Sequence, residues 1–441
     1  MLLHIGIDDT DSTRGGCTTY IAARLVETFT QMRIRFIDYP NIIRLNPNVP
    51  YKTRGNAAVA LRIDLRNESY HSVQEAVLHE VEQNSDLNRE GTDPAVVFVK
   101  GHPTAKIRQF SRRALWDILQ AEDAIRIIRS TGESAAAYGT RLGLVGALAG
   151  IGQSLEGDHT FELVAYRTKL NYGNPRQIDE NSVKRMDKRT VPGTFNNYDF
   201  ASKRTLISPH GPDPVLLGIR GENAQIVNRA FRMIMIHEPV ERWVIFRTNH
   251  GTDAHLQSVP PNRPIEPDRP AVLTGKVSNR PWRIPGGHVF FNLQSRFGEV
   301  TCAAFEPTGA FREIVATLLP GDTVTVYGGA KKHHANPSLT INLEKIQIRH
   351  LVEKFEAANP TCPSCHKHMK SAGKGQDFRC KNCSTTMPKL GKRITTRPRT
   401  LHLGLYLPAL KAHRHLTKPL FRYGKEKMWD SRPPSGQWHN P

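Results

Sequence analysis

The chain has 441 residues and a formal net charge of +20, from 61 lysines and arginines against 41 aspartates and glutamates. Apolar residues make up 38% of it, which excludes global disorder, and roughly 150 residues per domain predicts about three domains. No apolar run reaches the roughly 18 residues that cross a bilayer, and the N-terminus meets acids at Asp8, too early for a signal-peptide core. We therefore expect a cytoplasmic protein with a polyanionic partner.

The N-terminus combines a short apolar strand with acids and a glycine-rich turn. Residues 2–7 predict a strand that ends in three carboxylates, Asp8, Asp9 and Asp11. Clustered carboxylates repel one another unless a cation compensates them, and Mg²⁺ with phosphates is the common partner. A helical pattern over 21–29 follows a turn that can bind an anion, formed by Gly15, Gly16, Thr18 and Thr19. A strand–turn–helix whose Asp and Thr residues only cap the helix explains the same pattern equally well.

Two further segments of the N-terminal half carry weaker signals. The loop 50–56 places Lys52 and Arg54 before an apolar strand over 57–63, so it either neutralises phosphate or is an ordinary basic turn. The glycines and alanines of residues 143–152 predict a helix whose small side chains permit tight packing.

Residues 271–351 predict an OB-fold barrel. Strand patterns over 271–277, 288–293 and 300–305 precede a helix over 311–319, and two more strands follow over 323–327 and 339–348. This is the OB order, and such barrels commonly hold single-stranded nucleic acid in their loops. The loop residues expected to contact the nucleic acid, unless the loops are merely solvated, are Trp282, Arg283, Lys331 and Lys332, with His333 and His334 beside the two lysines. The prolines of residues 260–270 predict a stiff linker before the barrel.

Four of the six cysteines form two CxxC pairs within residues 362–383. Two such knuckles predict a zinc ribbon in which one structural Zn²⁺ is held by Cys362, Cys365, Cys380 and Cys383. This clustering indicates a metal site in a reducing compartment, and the alternative is a coincidental group of thiols. His366 and His368 lie close by and could compete as ligands, although four cysteines leave no vacancy.

The residues after the ribbon are strongly basic. Arg414, Lys418 and Arg422 lie in a stretch with interposed aromatic residues. Such a run is either a soluble tail or a source of phosphate contacts, and its place beside an OB barrel and a zinc ribbon favours phosphate contacts.

Taken together, motifs along the whole chain resemble a known family. In the N-terminal half they are GIDDTDS with GGCTTY, PYKTRGN, GLVGALAGIG, FELVAYR and PVLLGIRGE. The later ones are RWVIFRTNHGTDAHL, GGHVFFNL, AAFEPTGAFR, CPSCHKHMKSAGKGQDFRC and RHLTKPLFR. In this order they resemble the archaeal synthetases that attach agmatine to the wobble cytidine of the isoleucine tRNA with a CAU anticodon. The lead-in 138–142 departs from the basic, glycine-containing pattern of that family.

The resemblance implies a multidomain α/β and β architecture. A kinase-like α+β catalytic domain would take residues 1–64 and 130–205, and a ferredoxin-like domain would take residues 65–129 and 206–259. Within the ferredoxin-like part, the pattern predicts a strand over 215–219, a helix over 224–236 and a strand over 243–246. The linker 260–270, the OB fold 271–351, the zinc ribbon 358–390 and a basic tail 391–441 would follow.

The resemblance also implies the chemistry. ATP with Mg²⁺ would phosphorylate the C2 oxygen of the cytidine, and the amine of agmatine would then displace the phosphate, which allows AUA codons to be decoded. Asp8, Asp9 and Asp11 would hold metal and ATP, with Thr18 as phosphoryl acceptor or relay. The residues implied near phosphate are Gly15, Gly16, Thr19, Lys52, Arg54 and Asn56. Those implied for the agmatine or cytidine pocket are Asp213, Arg220, Glu222, His250 and Asp253.

Two other functions compete with this one. A non-catalytic protein that binds tRNA or single-stranded nucleic acid would use the barrel, the ribbon and the charge, but not the acids at Asp8–Asp11. A different ATP-dependent RNA-modifying ligase would use those acids with another acceptor. ATP consumption in the presence of agmatine separates these alternatives.

Overall fold

The structure, a computed structural model, describes residues 1–12, 14–52, 55–66, 69–87, 89–333, 336–373, 375–388, 393–427 and 433–440. Alternating and continuous apolar runs near the N-terminus form six strands: β1 (Leu2–Asp8), β2 (Arg35–Phe36), β3 (Asn41–Arg44), β4 (Ala57–Asp64), β5 (Ala95–Lys100) and β6 (Ser134–Ala137). Five helices accompany them: α1 (Thr18–Gln31), α2 (Tyr70–Asn84), α3 (Ala105–Ala114), α4 (Ala121–Thr131) and α5 (Gly143–Gly152). The predicted strands over 2–7 and 57–63 and helices over 21–29 and 143–152 agree with β1, β4, α1 and α5.

Further strands and two helices lie between residues 160 and 248. The strands are β7 (Thr160–Arg167), β8 (Thr194–Phe195), β9 (Tyr198–Asp199), β10 (Arg204–Thr205), β11 (Val215–Gly221) and β12 (Val240–Thr248), and the helices are α6 (Glu180–Thr190) and α7 (Ala224–Phe231). The helix predicted over 224–236 is therefore too long by five residues. The chain leaves the helix because the backbone around Met235 bonds with the start of α6: Met235 N–H donates to Ser182 Oγ (3.0 Å), and Asp179 N–H donates to the carbonyl of Met235 (2.9 Å).

The third group of elements is a closed barrel. Its elements are β13 (Pro270–Val277), β14 (Trp282–Arg283), β15 (Val289–Ser295), β16 (Gly298–Ala304), α8 (Phe311–Ala316), β17 (Thr323–His333) and β18 (Asn336–His350). The barrel closes in the order β13-β15-β16-β18-β17-β13, with β16 and β18 parallel and every other pair antiparallel. This is the OB topology, which confirms the fold predicted from strand spacing.

The remaining elements are short. They are β19 (Lys354–Ala358), β20 (Lys370–Ser371), β21 (Phe378–Arg379), β22 (Thr386–Met387), β23 (Arg393–Arg397), β24 (Gly404–Tyr406) and β25 (His439–Asn440). Strands β20, β21 and β22 form the small sheet of the ribbon, while β24 adds to β18 of the barrel. Residues 413–427, called the C-terminal segment below, then return to the N-terminal half, and β25 pairs with β12. None of the helices in the described ranges is both long and apolar enough to cross a membrane.

One large sheet joins the first two groups of elements. Its order is β6-β5-β1-β4-β3-β12-β7-β11-β8, with β2 beside β4 and β25 beside β12. The two halves meet where β3 and β12 run parallel, with Asn41 opposite Arg247 and Ile42 opposite Thr248. β5 pairs directly with β1, so residues 1–64 and 65–129 contribute neighbouring strands to the same half of the sheet.

Helix α5 lies unusually close to this sheet because its glycines and those of the sheet leave room for backbone contact. A Cβ at Gly6 of β1 would lie 1.9 Å from the carbonyl oxygen of Ala147 in α5. The predicted tight packing of residues 143–152 is thereby confirmed. It brings the first turn of α5 next to the end of β1, where the predicted acids are found.

Candidate active site

A cavity of about 350 Å³ lies over the junction between the two halves of the large sheet. Its walls come from the end of β1, the starts of α1 and α5, the β3–β4 loop, strands β7 and β11, the loop 206–215 and the C-terminal segment. Pockets at such junctions, lined by convergent polar groups with shifted pKa values, are the usual place for an active site.

All three predicted acids line this cavity. Asp8 ends β1, and Asp9 follows it in the left-handed conformation (φ 57°), which turns the chain at once. Burial and the nearby Asp9 raise the pKa of Asp8 well above its ordinary range, while burial and Asp11 raise the pKa of Asp9 to about 7. Because each negative charge disfavours ionisation of the neighbouring carboxyl, a divalent cation among them would stabilise the ionised forms.

Gly146 of α5 explains how Asp8 fits between strand and helix. A Cβ at this position would lie 1.7 Å from Asp8 Oδ2 and 2.4 Å from its Cγ. The Asp8 carboxyl therefore occupies the volume that the side chain of any larger residue at position 146 would fill. The predicted helix glycines thus have a second role, since one of them makes space for a candidate catalytic side chain.

The glycine-rich turn places Thr18 in the cavity wall. Thr18 is the first residue of α1, is buried, and accepts a hydrogen bond from Thr10 Oγ1 at 2.9 Å. Thr19 also lines the cavity. Gly15 and Gly16 shape the turn rather than line the cavity: Gly16 has φ 79°, and a Cβ there would lie 3.0 Å from the Thr10 carbonyl.

The β3–β4 loop contributes two of the three residues predicted from it. Lys52 and Asn56 line the cavity, and Asn56 Nδ2 donates to the Asn46 carbonyl at 2.9 Å. Burial, Arg414 and Lys331 lower the pKa of Lys52. Arg54 lies outside the described residues.

The residues predicted for the agmatine or cytidine pocket lie in two different places. Asp213 and Arg220 line the cavity, and His250 lies fully buried behind it. The other two face the C-terminal segment instead: Glu222 pairs with Arg422 Nε at 2.6 Å, and Asp253 accepts from the Tyr423 hydroxyl at 2.7 Å. Neither of these two acids is among the cavity-lining residues, and their role in the pocket stays a prediction.

A network in the cavity wall joins the predicted Arg220 and His250 to two residues that the sequence did not single out, Arg44 and Glu162. Arg44 Nε donates to His250 Nε2 at 2.6 Å, and His250 Nδ1 lies 3.0 Å from Glu162 Oε2. Arg220 Nε donates to the other oxygen of Glu162 at 3.0 Å. Burial and Arg44 lower the pKa of His250 to about 4, against the opposing effect of Glu162, so this imidazole is neutral at pH 7. Arg44, Glu162 and His250 come from three separate strands or strand ends, and no local pattern predicts their meeting.

The four predicted cysteines converge on a metal site. Their Sγ atoms all lie within 4.8 Å of one another, with Cys362 and Cys383 3.3 Å apart and Cys365 and Cys380 3.4 Å apart. Four thiolates about 2.3 Å from a common centre suit tetrahedral Zn²⁺. This is the only such group of three or more potential ligands in the part of the chain that the structure describes. Neither His366 nor His368 belongs to it, and the carboxylates of Asp8, Asp9 and Asp11 do not themselves converge in this way.

The barrel presents some of the residues predicted to bind nucleic acid. Trp282 is 38% exposed and stacks on Phe290 with ring centroids 5.8 Å apart. Arg283 is exposed and pairs with Glu313, and Lys332 is exposed. Lys331 instead donates to the Asn48 carbonyl at 2.8 Å and pairs with Asp268, which attaches the barrel to the β3–β4 loop. His334 lies outside the described residues.

The cations predicted in the C-terminal segment are engaged within the protein. Lys418 and Arg422 are buried, and both pair with Asp158. Arg414 is half-buried, where it donates to Asn48 Oδ1 at 2.8 Å. Through these ion pairs Lys418 and Arg422 attach the segment to the N-terminal half, and their contact with tRNA phosphate stays a prediction.

Four family models match the chain. They are described as the TiaS TCKD domain (residues 4–140), the TiaS FLD domain (142–255), an OB-fold nucleic acid binding domain (271–349) and the TiaS C-terminal zinc ribbon domain (359–401). The first two matches divide the N-terminal half near residue 141, whereas the division expected from the sequence interleaves two domains there.

Curated and solved relatives are similar over nearly the whole chain. The isoleucine tRNA 2-agmatinylcytidine synthetase TiaS of Archaeoglobus fulgidus is 42% identical, over 97% of this chain and 99% of the relative. The crystal structure of TiaS in complex with its isoleucine tRNA and ATP is 41% identical with a TM-score of 0.86, covering 96% of this chain and 97% of that one. A complex of TiaS with the same tRNA, AMPCPP and agmatine is 38% identical with a TM-score of 0.84 and the same coverage.

Proposed function

The chain belongs to the TiaS family, the 2-agmatinylcytidine synthetases of isoleucine tRNA, and from this premise we propose that it uses ATP to join agmatine to the wobble cytidine of that tRNA. The observation that carries the proposal is near full-length similarity to an enzyme solved with isoleucine tRNA, an ATP analogue and agmatine. The competing function as a non-catalytic RNA-binding protein leaves the half-buried acids of the cavity unexplained.

The cavity divides naturally between the reactants. Asp8, Asp9 and Asp11 offer oxygen ligands, which suit Mg²⁺ on the triphosphate of ATP. Bound Mg²⁺ would neutralise phosphate charge as it develops. Two carboxylates suffice beside phosphate oxygens and waters, so the three acids need not converge on one point. Lys52 lies in the same lining and would compensate the remaining phosphate charge.

Thr18 would receive or relay a phosphoryl group. It lines the cavity at the N-terminus of α1, and Thr10 donates to its hydroxyl oxygen, which fixes the direction of the lone pairs. In the proposed reaction the cytidine O2 attacks a phosphorus atom of ATP, or of phosphorylated Thr18, and the bond from that phosphorus to the departing nucleotide, or to Thr18 Oγ1, breaks. The agmatine amine then adds to C2, and the C2–O bond breaks as phosphate leaves with O2. The amine must lose a proton during this addition, and a carboxylate among Asp8, Asp9 and Asp11 that does not bind Mg²⁺ would accept that proton.

Asp213 is the acid proposed to hold the guanidinium of agmatine. Of the three acids predicted for this pocket it alone lines the cavity, and Arg176 holds its loop through the carbonyls of Gly211, Asp213 and Val215. Glu162 also lines the cavity. Both acids already have partners: Asp213 Oδ1 accepts from Val215 N–H at 3.1 Å and lies 3.5 Å from Arg176 Nη2, and Arg220 and His250 occupy both oxygens of Glu162. The choice of Asp213 therefore rests on the predicted pocket and on its place in the lining. A guanidinium binds best to a carboxylate that accepts two parallel hydrogen bonds.

The kinase-like and ferredoxin-like assignments belong to this proposal. The kinase-like fold would include the half-sheet β6-β5-β1-β4-β3, and the ferredoxin-like fold would include β7, β11 and β12 with α6 and α7. Direct pairing of β5 with β1, and the family matches, favour a boundary near residue 141 over the interleaved division. The division of residues 1–259 stays a prediction.

A reconstitution experiment tests the proposed function. ATP consumption is measured with agmatine and an isoleucine tRNA transcript together, and with each omitted. We expect consumption coupled to conjugation only when both are present, and loss of conjugation in Thr18→Ala and Asp11→Ala while tRNA binding survives. Conjugation by both variants would refute the site assignment, and its absence in the wild type would refute the function.

A further inference from the structure

The C-terminal segment, residues 413–427, forms part of the wall of the cavity although it follows the zinc ribbon in the chain. His415 is among the residues that line the cavity. Its ring stacks on that of His250, with centroids 5.2 Å apart and an angle of 27° between the planes. The cavity is therefore incomplete without residues from the end of the chain.

Buried ion pairs hold this segment in place. Arg422 is 1% exposed; its Nη2 lies 2.8 Å from Asp158 Oδ1, and its Nε lies 2.6 Å from Glu222 Oε1. Lys418 Nζ lies 3.3 Å from Asp158 Oδ2. A buried cation with two carboxylate partners resists removal because separation would leave uncompensated charges in a poorly solvated place.

The backbone of the segment is also fixed directly beside His415. The carbonyl of His415 accepts from Gly251 N–H at 2.9 Å, and the carbonyl of Leu416 accepts from Asp253 N–H at 2.8 Å. Residues 251–253 directly follow the buried His250. The position of the His415 ring is thus set by the same turn that carries His250.

The hydrogen-bond network determines which nitrogen of His415 carries the proton. Arg44, burial and Arg220 hold the pKa of His415 well below its ordinary range, so the ring is neutral at pH 7. Arg220 Nη2 lies 2.9 Å from His415 Nδ1, and a guanidinium can only donate. Nδ1 must therefore accept, and the single ring proton is on Nε2.

The surroundings of Nε2 select the ligand by charge. Arg44 and Arg220 are the cations that act on the His415 ring, and Glu162 is the acid in direct contact with Arg220. The cavity lining as a whole also includes Asp8, Asp9, Asp11, Asp117 and Asp213. Beside the ring itself, two cations against one acid leave a positive environment. An N–H donor among cations suits an anionic oxygen, and phosphate is the anion common to both ATP and the tRNA backbone.

Resting on the proposed function, we propose that His415 donates a hydrogen bond from Nε2 to a phosphate oxygen of a bound substrate, so that the C-terminal segment is part of the active site. Two sources share this chemistry, the triphosphate of ATP and the phosphodiester beside the wobble cytidine. His415 is in this role a binding residue, with Arg220 and the segment positioning it.

The test compares His415→Ala with His415→Gln, whose amide N–H can replace the Nε2 donor. His402→Ala, an exposed histidine of the same region, is the matched control. Steady-state conjugation is measured with varied ATP and with varied isoleucine tRNA transcript, and calorimetry gives the affinity of each variant for ATP and for the transcript. Thermal unfolding establishes that each variant folds.

We expect His415→Ala to lose about tenfold or more in kcat/KM, and His415→Gln to recover most of it. A weaker affinity for ATP alone assigns the phosphate to the nucleotide, and a weaker affinity for the transcript alone assigns it to the tRNA. Unchanged affinities and kcat/KM in His415→Ala would overturn the proposal, as would a His415→Gln variant as impaired as alanine. Because binding is measured without turnover, these results stand apart from failure of the wild type to conjugate agmatine, which would refute only the proposed function.

Discussion

Replacing Gly146 by alanine should separate activity from stability. In an ordinary helix the change gains about 1 kcal/mol from helix propensity. Here the new Cβ would lie 1.7 Å from Asp8 Oδ2, so that oxygen must move about 1.7 Å to reach the 3.4 Å of ordinary contact. The carboxyl is the end of a side chain and can rotate, which relieves the clash but displaces a proposed metal ligand.

The expected cost therefore falls on catalysis. A misplacement of about 1 Å in a catalytic group lowers rates on the order of 10²-fold. An overpacking cost of about 1–3 kcal/mol, less the roughly 1 kcal/mol gained from helix propensity, should lower the free energy of unfolding by about 0–2 kcal/mol. Gly150→Ala in the same helix is the matched control. A Cβ there meets Ala58 Cβ and the Val59 carbonyl at 3.4 Å, which is ordinary contact, so this variant should remain active.

The assay is the initial rate of agmatine conjugation, paired with urea unfolding of both variants. We expect Gly146→Ala to fold and to lose at least about 10²-fold in kcat/KM. The rates are compared at saturating Mg²⁺, established by titration for each variant, so that incomplete metal binding does not account for the loss. A fully active Gly146→Ala would refute the placement of Asp8 against α5. Equal loss in both variants would show that the helix, and not Asp8, is responsible.

Three further outcomes are expected. Arg422→Met, which leaves two carboxylates without their buried cation, should lower the free energy of unfolding by about 3–5 kcal/mol in urea titrations; a change below about 1 kcal/mol would contradict the anchoring of the C-terminal segment. Burial and Arg62 lower the pKa of His4 to about 3, whereas its value in the unfolded chain is near 6.5. The free energy of unfolding that depends on neutral His4 is therefore fully present above pH 6.5. It falls by about 1.4 kcal/mol per pH unit as the pH drops towards 3. Unfolding curves of His4→Asn should lack this share of the pH dependence, and a slope equal to that of the wild type would count against it. Metal analysis should give about one zinc per chain, lost in Cys380→Ser, and a zinc-free chain that stays folded and active would contradict a structural zinc site.

The barrel and the ribbon were predictable because their signals are local. Strand alternation over 271–348 gives the order of the OB elements, and the spacing of the cysteines gives the metal cluster without knowledge of the rest of the chain. The acids of β1 and Thr18 were also found correctly as neighbours, since only a short turn separates them.

The other wall of the cavity could not be predicted in this way. Arg44, Glu162 and His415 meet only after the two halves of the sheet have joined and the chain has returned from the ribbon. Each is a single polar residue in an otherwise ordinary stretch, and its side-chain partner lies between 58 and 206 residues away. Their meeting is a property of the topology.

Charge composition does not show whether a cation is paired with an acid inside the protein. Lys418 and Arg422 look like phosphate ligands beside a zinc ribbon, yet their charges are compensated by Asp158 and Glu222 within the protein. A basic run predicts a polyanion only when its cations remain exposed. The predicted length of α7 was also wrong. Hydrogen bonds to the start of α6 end that helix earlier than its own sequence indicates.

Nucleoside mass spectrometry of the tRNA after incubation with ATP and agmatine tests the proposed activity at its product. The wild-type protein should convert the wobble cytidine of an isoleucine tRNA transcript with a CAU anticodon to a nucleoside heavier by agmatine less one water, and a transcript with uridine at that position should remain unmodified. An unmodified wobble cytidine, with the protein folded and zinc bound, would contradict the proposed function.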